Sequence, residues 1–130
     1  MLFLDFDGFK AVNDRFGHAG GDEVLVRASE RVSAALRAED TIARFGGDEL
    51  VVLSEHVAGA AGGALIAERI LAQLRVPIEI HGEQVTLSAS IGICLAPIEG
   101  ADREDLLRTA DTAMYEAKAA GPGRYVIAGE

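Results

Sequence analysis

The sequence of 130 residues lacks several features that would place it in a specialised class of protein. Its one cysteine, Cys94, excludes an internal disulfide and a zinc site built from paired cysteines. No apolar run approaches the roughly 18 residues of a membrane-spanning helix, and the first residues lack the basic segment of a secretory signal. With 49% hydrophobic residues, the chain is predicted to be one cytoplasmic domain, either free or as the cytoplasmic part of a membrane-attached protein.

Basic residues are also in the minority. Lys and Arg number 12 against 21 Asp and Glu, which gives a formal net charge of −9. This excess repels nucleic acid and anionic lipid, both of which are negatively charged. We therefore predict no nucleic acid partner and no membrane contact by this domain, and we expect any phosphate-bearing substrate to need a metal cation.

Two adjacent carboxylates, Asp48 and Glu49, lie on a glycine-containing turn between two apolar segments, within the run ARFGGDELVVL at residues 43–53. Two carboxylates about 4 Å apart repel by about 4 kcal/mol at an effective dielectric constant of about 20, so a cation is expected beside them. A divalent metal is one interpretation. The other is a surface hairpin whose turn consists of ordinary turn-forming residues. The turn alone leaves both interpretations open.

The first half of the chain predicts a strand, a helix and a hairpin. Residues 1–6 have the apolar pattern of a central strand, and Asp5 and Asp7 are spaced to share a face. A helix of about four turns follows, with Asp22 placed to cap it and Leu36 near its end. Residues 41–45 and 50–53 then read as two short strands joined by the acidic turn.

The second half predicts a helix, a hairpin, a helix and a strand. A short loop at residues 58–63 leads into a helix that includes residues 65–74. Strands over residues 77–80 and 85–95 flank a turn at His81 and Gly82. A third helix begins near Asp102 and ends before Gly121, and residues 124–127 form a last strand. The order predicts an α+β domain with helices packed on a largely antiparallel sheet.

Several short motifs carry a resemblance to a known family. They are LDFDGFK at 4–10, ND at 13–14, FGH at 16–18, GDEVL at 21–25, GGDEL at 46–50 and ADTAMYEAK at 110–118. In order and spacing they resemble the GGDEF domain of diguanylate cyclases over essentially the whole chain. The resemblance implies a ferredoxin-like, nucleotidyl-cyclase-like sandwich that condenses two GTP into cyclic di-GMP and pyrophosphate. Each domain would hold one GTP, so a second GGDEF domain is implied as a homodimer partner.

The resemblance also implies the catalytic residues. Asp5 and Asp48, with the carbonyl of Phe6, would hold Mg²⁺ or Mn²⁺, for which all-oxygen ligation is suitable. Glu49 is assigned a catalytic place near the metals or the reacting hydroxyl. Lys118 is assigned as a catalytic, phosphate-contacting lysine, although a lysine in the last turn of any helix is favourable by about 0.3–1 kcal/mol.

A second group of residues would bind GTP. Asn13 and Asp22 resemble the family's guanine readers, since an aspartate accepts hydrogen bonds from the N1 and N2 donors of guanine. Without the motif context, a loop residue and a helix cap are the plainer interpretations of these two. Lys10 resembles a second phosphate-contacting lysine. The other GTP-binding positions are Phe6, Phe9, Gly46 and Gly47, where a missing β-carbon lets backbone approach the substrate.

Arg37 and Asp40 match the RxxD inhibitory site that precedes the signature in the family. The match implies that product guanine and phosphate bind there and inhibit the enzyme. A charged helix exit is the other interpretation, because such sequences are common.

Three departures from the family pattern affect these expectations. Leu50 replaces the usual Phe and is expected to pack under the hairpin in the same way. After Lys118 the family usually has Gly-Arg-Asn, whereas this chain has Gly121, Pro122 and Gly123. The missing arginine predicts either weaker phosphate binding or that Arg124 takes over its role. The family's opening helix has no counterpart here, which predicts an N-terminally truncated domain over residues 1–130 with an exposed sheet face.

Two functions from different classes therefore remain. One is an active diguanylate cyclase module. The other is a catalytically degenerate domain that binds GTP or cyclic di-GMP and regulates a larger signalling protein. The resemblance implies further sensor or phosphodiesterase domains in the full protein under either function. A generic ferredoxin-like interaction domain is a third possibility that does not account for the joint motifs.

Overall fold

A computed structural model describes residues 1–96 and 102–129. Five strands form one mixed sheet in the order β2-β3-β1-β6-β7, in which β7 is parallel to β6 and the other pairs are antiparallel. Strands β4 and β5 form a separate hairpin. None of the helices in the described part of the chain is long and apolar enough to cross a membrane. The elements are β1 (Leu2–Phe6), α1 (Phe9–Ala34), β2 (Thr41–Arg44), β3 (Glu49–Leu53), α2 (Gly59–Leu74), β4 (Ile78–Ile80), β5 (Glu83–Val85), β6 (Ala89–Ile93), α3 (Arg103–Ala120) and β7 (Tyr125–Ile127).

The central strand β1 is covered on both faces. Leu2, Leu4 and Phe6 point into the main core, where they pack with buried residues of α1 and α2. Phe3 points to the other face and packs with Met114 of α3. The α+β fold is thus a three-layer arrangement with α1 and α2 on one side of the sheet and α3 on the other. This burial on both faces is what the apolar pattern of β1 predicted.

In the described part of the chain, exposed apolar side chains of the expected sheet face lie on and beside β2 and β3. On the α3 side of the sheet, Phe45 after β2 is 58% exposed and Leu53 of β3 is 42% exposed. The β1 part of that face is closed, because α3 lies over β1 and β6. Leu50 is buried in the main core beneath the hairpin, which confirms the expectation for this departure from the signature.

Helix α1 differs from the prediction. It begins at Phe9 rather than near Asp22, so the prediction that Asp22 caps the helix was wrong and the residue lies well inside α1. Gly8 precedes the helix with φ of 66°, and Gly17 interrupts it with φ of 74° and ψ of 175°. These left-handed conformations favour glycine, and they produce a kinked helix that a continuous apolar period does not indicate.

Two other boundaries differ as well. The predicted strand over residues 85–95 is divided, because β5 pairs with β4 while β6 joins the main sheet. The glycine-rich stretch predicted as a loop forms the first turns of α2, which begins at Gly59. The predicted start of the third helix is confirmed: the carboxylate of Asp102 accepts a hydrogen bond of 2.9 Å from the Glu104 N–H.

Candidate active site

The acidic turn lies against the end of β1. Asp5 is paired with Glu49 in the antiparallel register of β1 and β3. The Phe6 N–H donates a hydrogen bond of 3.1 Å to the Asp48 carbonyl. Sequence reasoning placed these carboxylates on separate strands, and the sheet pairing brings them together.

Asp5 carries the most unusual electrostatics of the site. Its Oδ2 lies 2.9 Å from Nζ of Lys118, which comes from the last turn of α3. Its Oδ1 is buried and has no hydrogen-bond partner in the described part of the molecule. Burial and the nearby Asp48 charge raise the pKa of Asp5 above its ordinary value, although the hydrogen bond and charge of Lys118 act in the opposite direction.

Glu49 lies in the same negative field. Burial raises the pKa of Glu49, and the charges of Asp5, Asp48 and Asp111 raise it further. Asp111 comes from α3 and was not among the predicted site residues. Gly46 has a steric role beside Glu49: a β-carbon at position 46 would lie 2.5 Å from Oε1 of Glu49.

These side chains fit a divalent cation held together with other oxygens. The charges of Asp5, Asp48 and Asp111 all act on Glu49, and Lys118 is paired with Asp5. In the part of the chain that the structure describes, one buried carboxylate oxygen of Asp5 has no hydrogen-bond partner. Within residues 1–96 and 102–129, however, no group of three or more His, Cys, Asp or Glu side chains could hold a metal ion by itself. Mg²⁺ is commonly bound by one or two carboxylates together with substrate phosphates, which is the arrangement this site fits.

Beside the acidic turn is an open cleft of about 360 Å³. It brings together most of the residues predicted to bind GTP, and Gly47 and Asp48 form its border with the acidic turn. The cleft also contains three residues that were not among the predicted site residues: His18, Leu25 and Arg44. Its lining consists of Phe9, Lys10, Asn13, His18, Asp22, Leu25, Arg44, Gly47 and Asp48.

The kink of α1 explains how Asn13 and Asp22 reach one cleft. Asn13 lies before Gly17 and Asp22 lies after it. Gly21 allows the two segments to pack closely, since a β-carbon there would lie 1.9 Å from Oδ1 of Asn13. The interpretations of Asn13 as a loop residue and of Asp22 as a cap do not hold, because both lie within α1.

Arg44 is a residue that sequence reasoning missed. Its Nη2–H donates 2.8 Å to the Gly47 carbonyl, and its Nε–H donates 3.2 Å to the same oxygen. The guanidinium is therefore hydrogen-bonded to the backbone of the acidic turn at the border of the cleft. Its position directly before the signature was the available signal, because an arginine so close in sequence can reach the turn's carbonyls.

The predicted inhibitory pair forms a network at the opposite end of β2. The Arg37 Nη2–H groups donate to the Ser54 hydroxyl at 2.8 Å and to the Glu55 carbonyl at 2.7 Å. The Ser54 hydroxyl donates 2.7 Å to Asp40. Burial alone would raise the pKa of Asp40, but the hydrogen bonds from Ser54 and Arg37 hold it below its ordinary value. The pair thus joins the α1 exit to the segment after β3.

Arg124 lies apart from the cleft. It lines a separate groove with Glu68 and Tyr125, whose hydroxyl donates 3.0 Å to Glu68. Lys118 and Lys10 are therefore the cations that the structure places at the acidic turn and in the cleft, together with Arg44.

The geometry defines an α+β domain with a nucleotidyl-cyclase-like fold and an acidic turn beside an open cleft. Residues 1–124 match the family described as "Diguanylate cyclase, GGDEF domain". The chain therefore belongs to the GGDEF domain family of diguanylate cyclases, as the motifs indicated.

Similar proteins support this membership. The chain is 48% identical over 125 residues to the bifunctional diguanylate cyclase/cyclic di-GMP phosphodiesterase MucR of Pseudomonas aeruginosa, covering 96% of this chain and 18% of that protein. It is 42% identical over 127 residues to the cyclic di-GMP phosphodiesterase PdeR of Escherichia coli, covering 98% of this chain and 19% of that protein. The chain thus spans about a fifth of the length of these curated relatives.

A solved structure gives the same fold. The crystal structure of the GGDEF domain of TpbB, also named YfiN, from Pseudomonas aeruginosa superposes with a TM-score of 0.92 at 43% identity. The match covers 99% of this chain and 81% of that chain.

Proposed function

We propose that the domain condenses two GTP molecules into cyclic di-GMP with release of pyrophosphate. The observation that carries this proposal is that two parts of a GTP site, an acidic part and a base-binding cleft, lie next to each other. Lys118 is paired with Asp5, and the charges of Asp5 and Asp48 act on Glu49, next to a cleft that contains the candidate guanine readers Asn13 and Asp22. The acidic part suits the reacting phosphates and the cleft suits the base.

The reaction joins a ribose 3′-hydroxyl of one GTP to the α-phosphate of another, and the bond to pyrophosphate breaks. Negative charge develops on the attacking and leaving oxygens together. Asp5 and Asp48, with the Phe6 carbonyl, would hold Mg²⁺ or Mn²⁺, which neutralises that charge when bound.

The chain's own residues bind and orient GTP. In the proposal, Asp22 accepts from the N1 and N2 donors of guanine and Asn13 pairs with the complementary edge. Lys10 and Lys118 bind the phosphates, while Phe9 and Gly47, which has no side chain, border the bound nucleotide. Glu49, whose pKa is raised by burial and by neighbouring carboxylates, would accept a hydrogen bond from the reacting hydroxyl or support the metal.

One cleft holds one GTP, so the reaction requires two copies of the domain with their clefts facing each other. The second GGDEF domain is part of the proposal. Sensor or phosphodiesterase domains elsewhere in the full protein would bring two such domains together.

The test is incubation of the purified domain with GTP and Mg²⁺ or Mn²⁺, followed by chromatography for cyclic di-GMP and pyrophosphate. We expect both products in a ratio of one to two, with a rate that rises more steeply than linearly with protein concentration. ATP in place of GTP is the matched control and should give no cyclic dinucleotide. Failure to form cyclic di-GMP by a dimeric, GTP-loaded domain would contradict the proposal.

A second function is a GTP- or cyclic di-GMP-binding regulatory domain without catalysis. The observation that favours it is the 42% identity to PdeR, which is named only as a phosphodiesterase. The same assay separates the two functions when GTP binding is measured by calorimetry alongside it. Binding without product formation would support the regulatory domain.

We further propose that product binds at Arg37 and Asp40 and inhibits the reaction. Both side chains are within one network next to β2, whose other end continues into the acidic turn. Arg37→Ala removes the guanidinium and should raise the cyclic di-GMP concentration for half inhibition at least about tenfold, as expected for loss of a charged hydrogen-bonding group. Inhibition curves for this variant and for the exposed control Arg69→Ala check the prediction, and identical curves for the two variants would contradict it.

A further inference from the structure

Asp7 is a carboxylate that the proposed reaction does not use, yet it is more fully hydrogen-bonded than any of the catalytic candidates. Its Oδ2 accepts from the Ser88 hydroxyl at 2.7 Å and from the Gly123 N–H at 2.9 Å. Its Oδ1 accepts from the Ser90 hydroxyl at 2.6 Å. The donors are neutral and both carboxylate oxygens accept hydrogen bonds, so Asp7 links the segments that supply these donors.

The three donors belong to different parts of the fold. Ser88 lies between β5 and β6, and its carbonyl also accepts 2.9 Å from the Asp7 N–H. Ser90 belongs to β6 and is fully buried. Gly123 lies in the turn between α3 and β7. Asp7 therefore ties the end of β1 to the segment that follows the C-terminus of α3.

That segment is hydrogen-bonded to Lys118. The helix ends at Ala120, the N–H of the following Gly121 donates 3.2 Å to the Lys118 carbonyl, and Gly123 follows two residues later. The end of β1 and the end of α3 are thus joined twice: by the Lys118–Asp5 ion pair at 2.9 Å and by the Gly123–Asp7 hydrogen bond at 2.9 Å. A lysine side chain is flexible, so the backbone anchor determines how closely its ammonium is held to the reacting groups.

We propose that Asp7 is a positioning residue that acts through Lys118. It holds the turn after α3 against β1 and so sets the position of the Lys118 ammonium relative to Asp5. The inference rests on the proposed function only in that Lys118 binds the phosphates of GTP.

The first test is a double-mutant cycle on kcat/KM for cyclic di-GMP formation. Asp7→Ala should lower kcat/KM about 10- to 100-fold, the usual loss when a supporting hydrogen-bond partner of a site is removed. In the Lys118→Ala background the same change should cost less than about threefold, because the residue it positions is gone. Ser88→Ala, which removes one donor, is the milder variant and should give a smaller loss with the same dependence on Lys118. Glu116→Ala, an exposed carboxylate on α3, is the control.

The second test does not depend on activity. The coupling between Asp5→Asn and Lys118→Met in the free energy of unfolding measures the ion pair. It should fall by more than half when Asp7→Ala is present and by a smaller amount when Ser88→Ala is present. Equal losses of kcat/KM in both Lys118 backgrounds, or an unchanged coupling, would overturn the proposal. Should the wild-type domain form no cyclic di-GMP, the proposed function fails while this coupling still decides the role of Asp7.

Discussion

Replacement of Asp48 by asparagine is expected to reduce cyclic di-GMP formation at least about 100-fold while leaving the domain as stable as before, or more stable. In the proposed reaction the rate falls because the amide cannot supply the negative charge that would hold Mg²⁺ or Mn²⁺ beside Asp5. Losses of about 10²–10³ are usual when one electrostatic contact to a transition state is removed. We expect the loss mainly in kcat at saturating GTP, with a higher Mg²⁺ concentration needed for half-maximal rate.

The stability should move in the opposite direction because Asp48 is repelled by its neighbours. Its charge helps to raise the pKa of both Asp5 and Glu49 in the folded domain. Removing that charge lowers both pKa values toward their ordinary range and relieves repulsion that is absent in the unfolded chain. Functional sites often carry such a cost in stability.

Urea unfolding and initial-rate measurements on the same preparation check the prediction. Glu116→Gln, which removes an exposed carboxylate outside the site, is the control and should change neither quantity appreciably. A variant that loses stability and activity together would indicate that Asp48 maintains the turn rather than the cation.

The acidic turn was the part of the site most accessible from sequence. A turn between two short apolar strands is a local feature, and glycines followed by paired carboxylates identify it without knowledge of the tertiary structure. The pairing of Asp5 with Glu49 could be expected once both were placed at strand ends. The start of α3 after Asp102 follows from capping in the same local way. Alternation was not enough for residues 85–95, which it gave as one strand and which the fold divides between β5 and β6.

The kink in α1 could not be predicted from periodicity. The apolar spacing after residue 22 indicates a helix but does not reveal that the helix has already begun at Phe9, because Gly17 breaks the phase between the two segments. The kink brings Asn13 against Gly21, where an added β-carbon would lie 1.9 Å from the Asn13 Oδ1, and such a contact across the kink is not visible in the apolar period. The location of Asn13 and Asp22 in one cleft therefore depended on the resemblance.

Asp7 and Arg44 were missed for different reasons. The partners of Asp7 are distant in sequence, and nothing in the run LDFDGFK indicates donors from the segment before β6, from β6 itself and from the α3–β7 turn. Arg44 contacts residues two and three positions away, so its role was local but looked like an ordinary charged residue on an exposed strand. Hydrogen bonds between a carboxylate and residues distant in sequence depend on the tertiary fold, so a local motif does not reveal them.

Replacement of Gly92 by alanine is expected to destabilise the domain by about 3 kcal/mol or more, the largest effect we expect from adding a single carbon atom. Gly92 lies in the middle of β6, where α3 packs directly on the strand. An added β-carbon would lie 2.0 Å from the Ala110 carbonyl oxygen and 2.3 Å from the Met114 nitrogen. Both are backbone atoms, so the clash is relieved only by moving α3 away from the sheet.

The movement of α3 should also affect the site, because α3 carries Lys118 to Asp5 and Asp111 toward Glu49. We expect the fraction of Gly92→Ala that remains folded to form cyclic di-GMP more slowly than the wild type. Urea unfolding checks the stability, with Gly47→Ala as the matched control, since a β-carbon at position 47 meets no atom within 4 Å and should change the free energy of unfolding by less than about 0.5 kcal/mol. Equal stability of the two variants would mean that α3 does not pack directly on Gly92. The packing of α3 on β6 would then not explain why Lys118 lies beside Asp5.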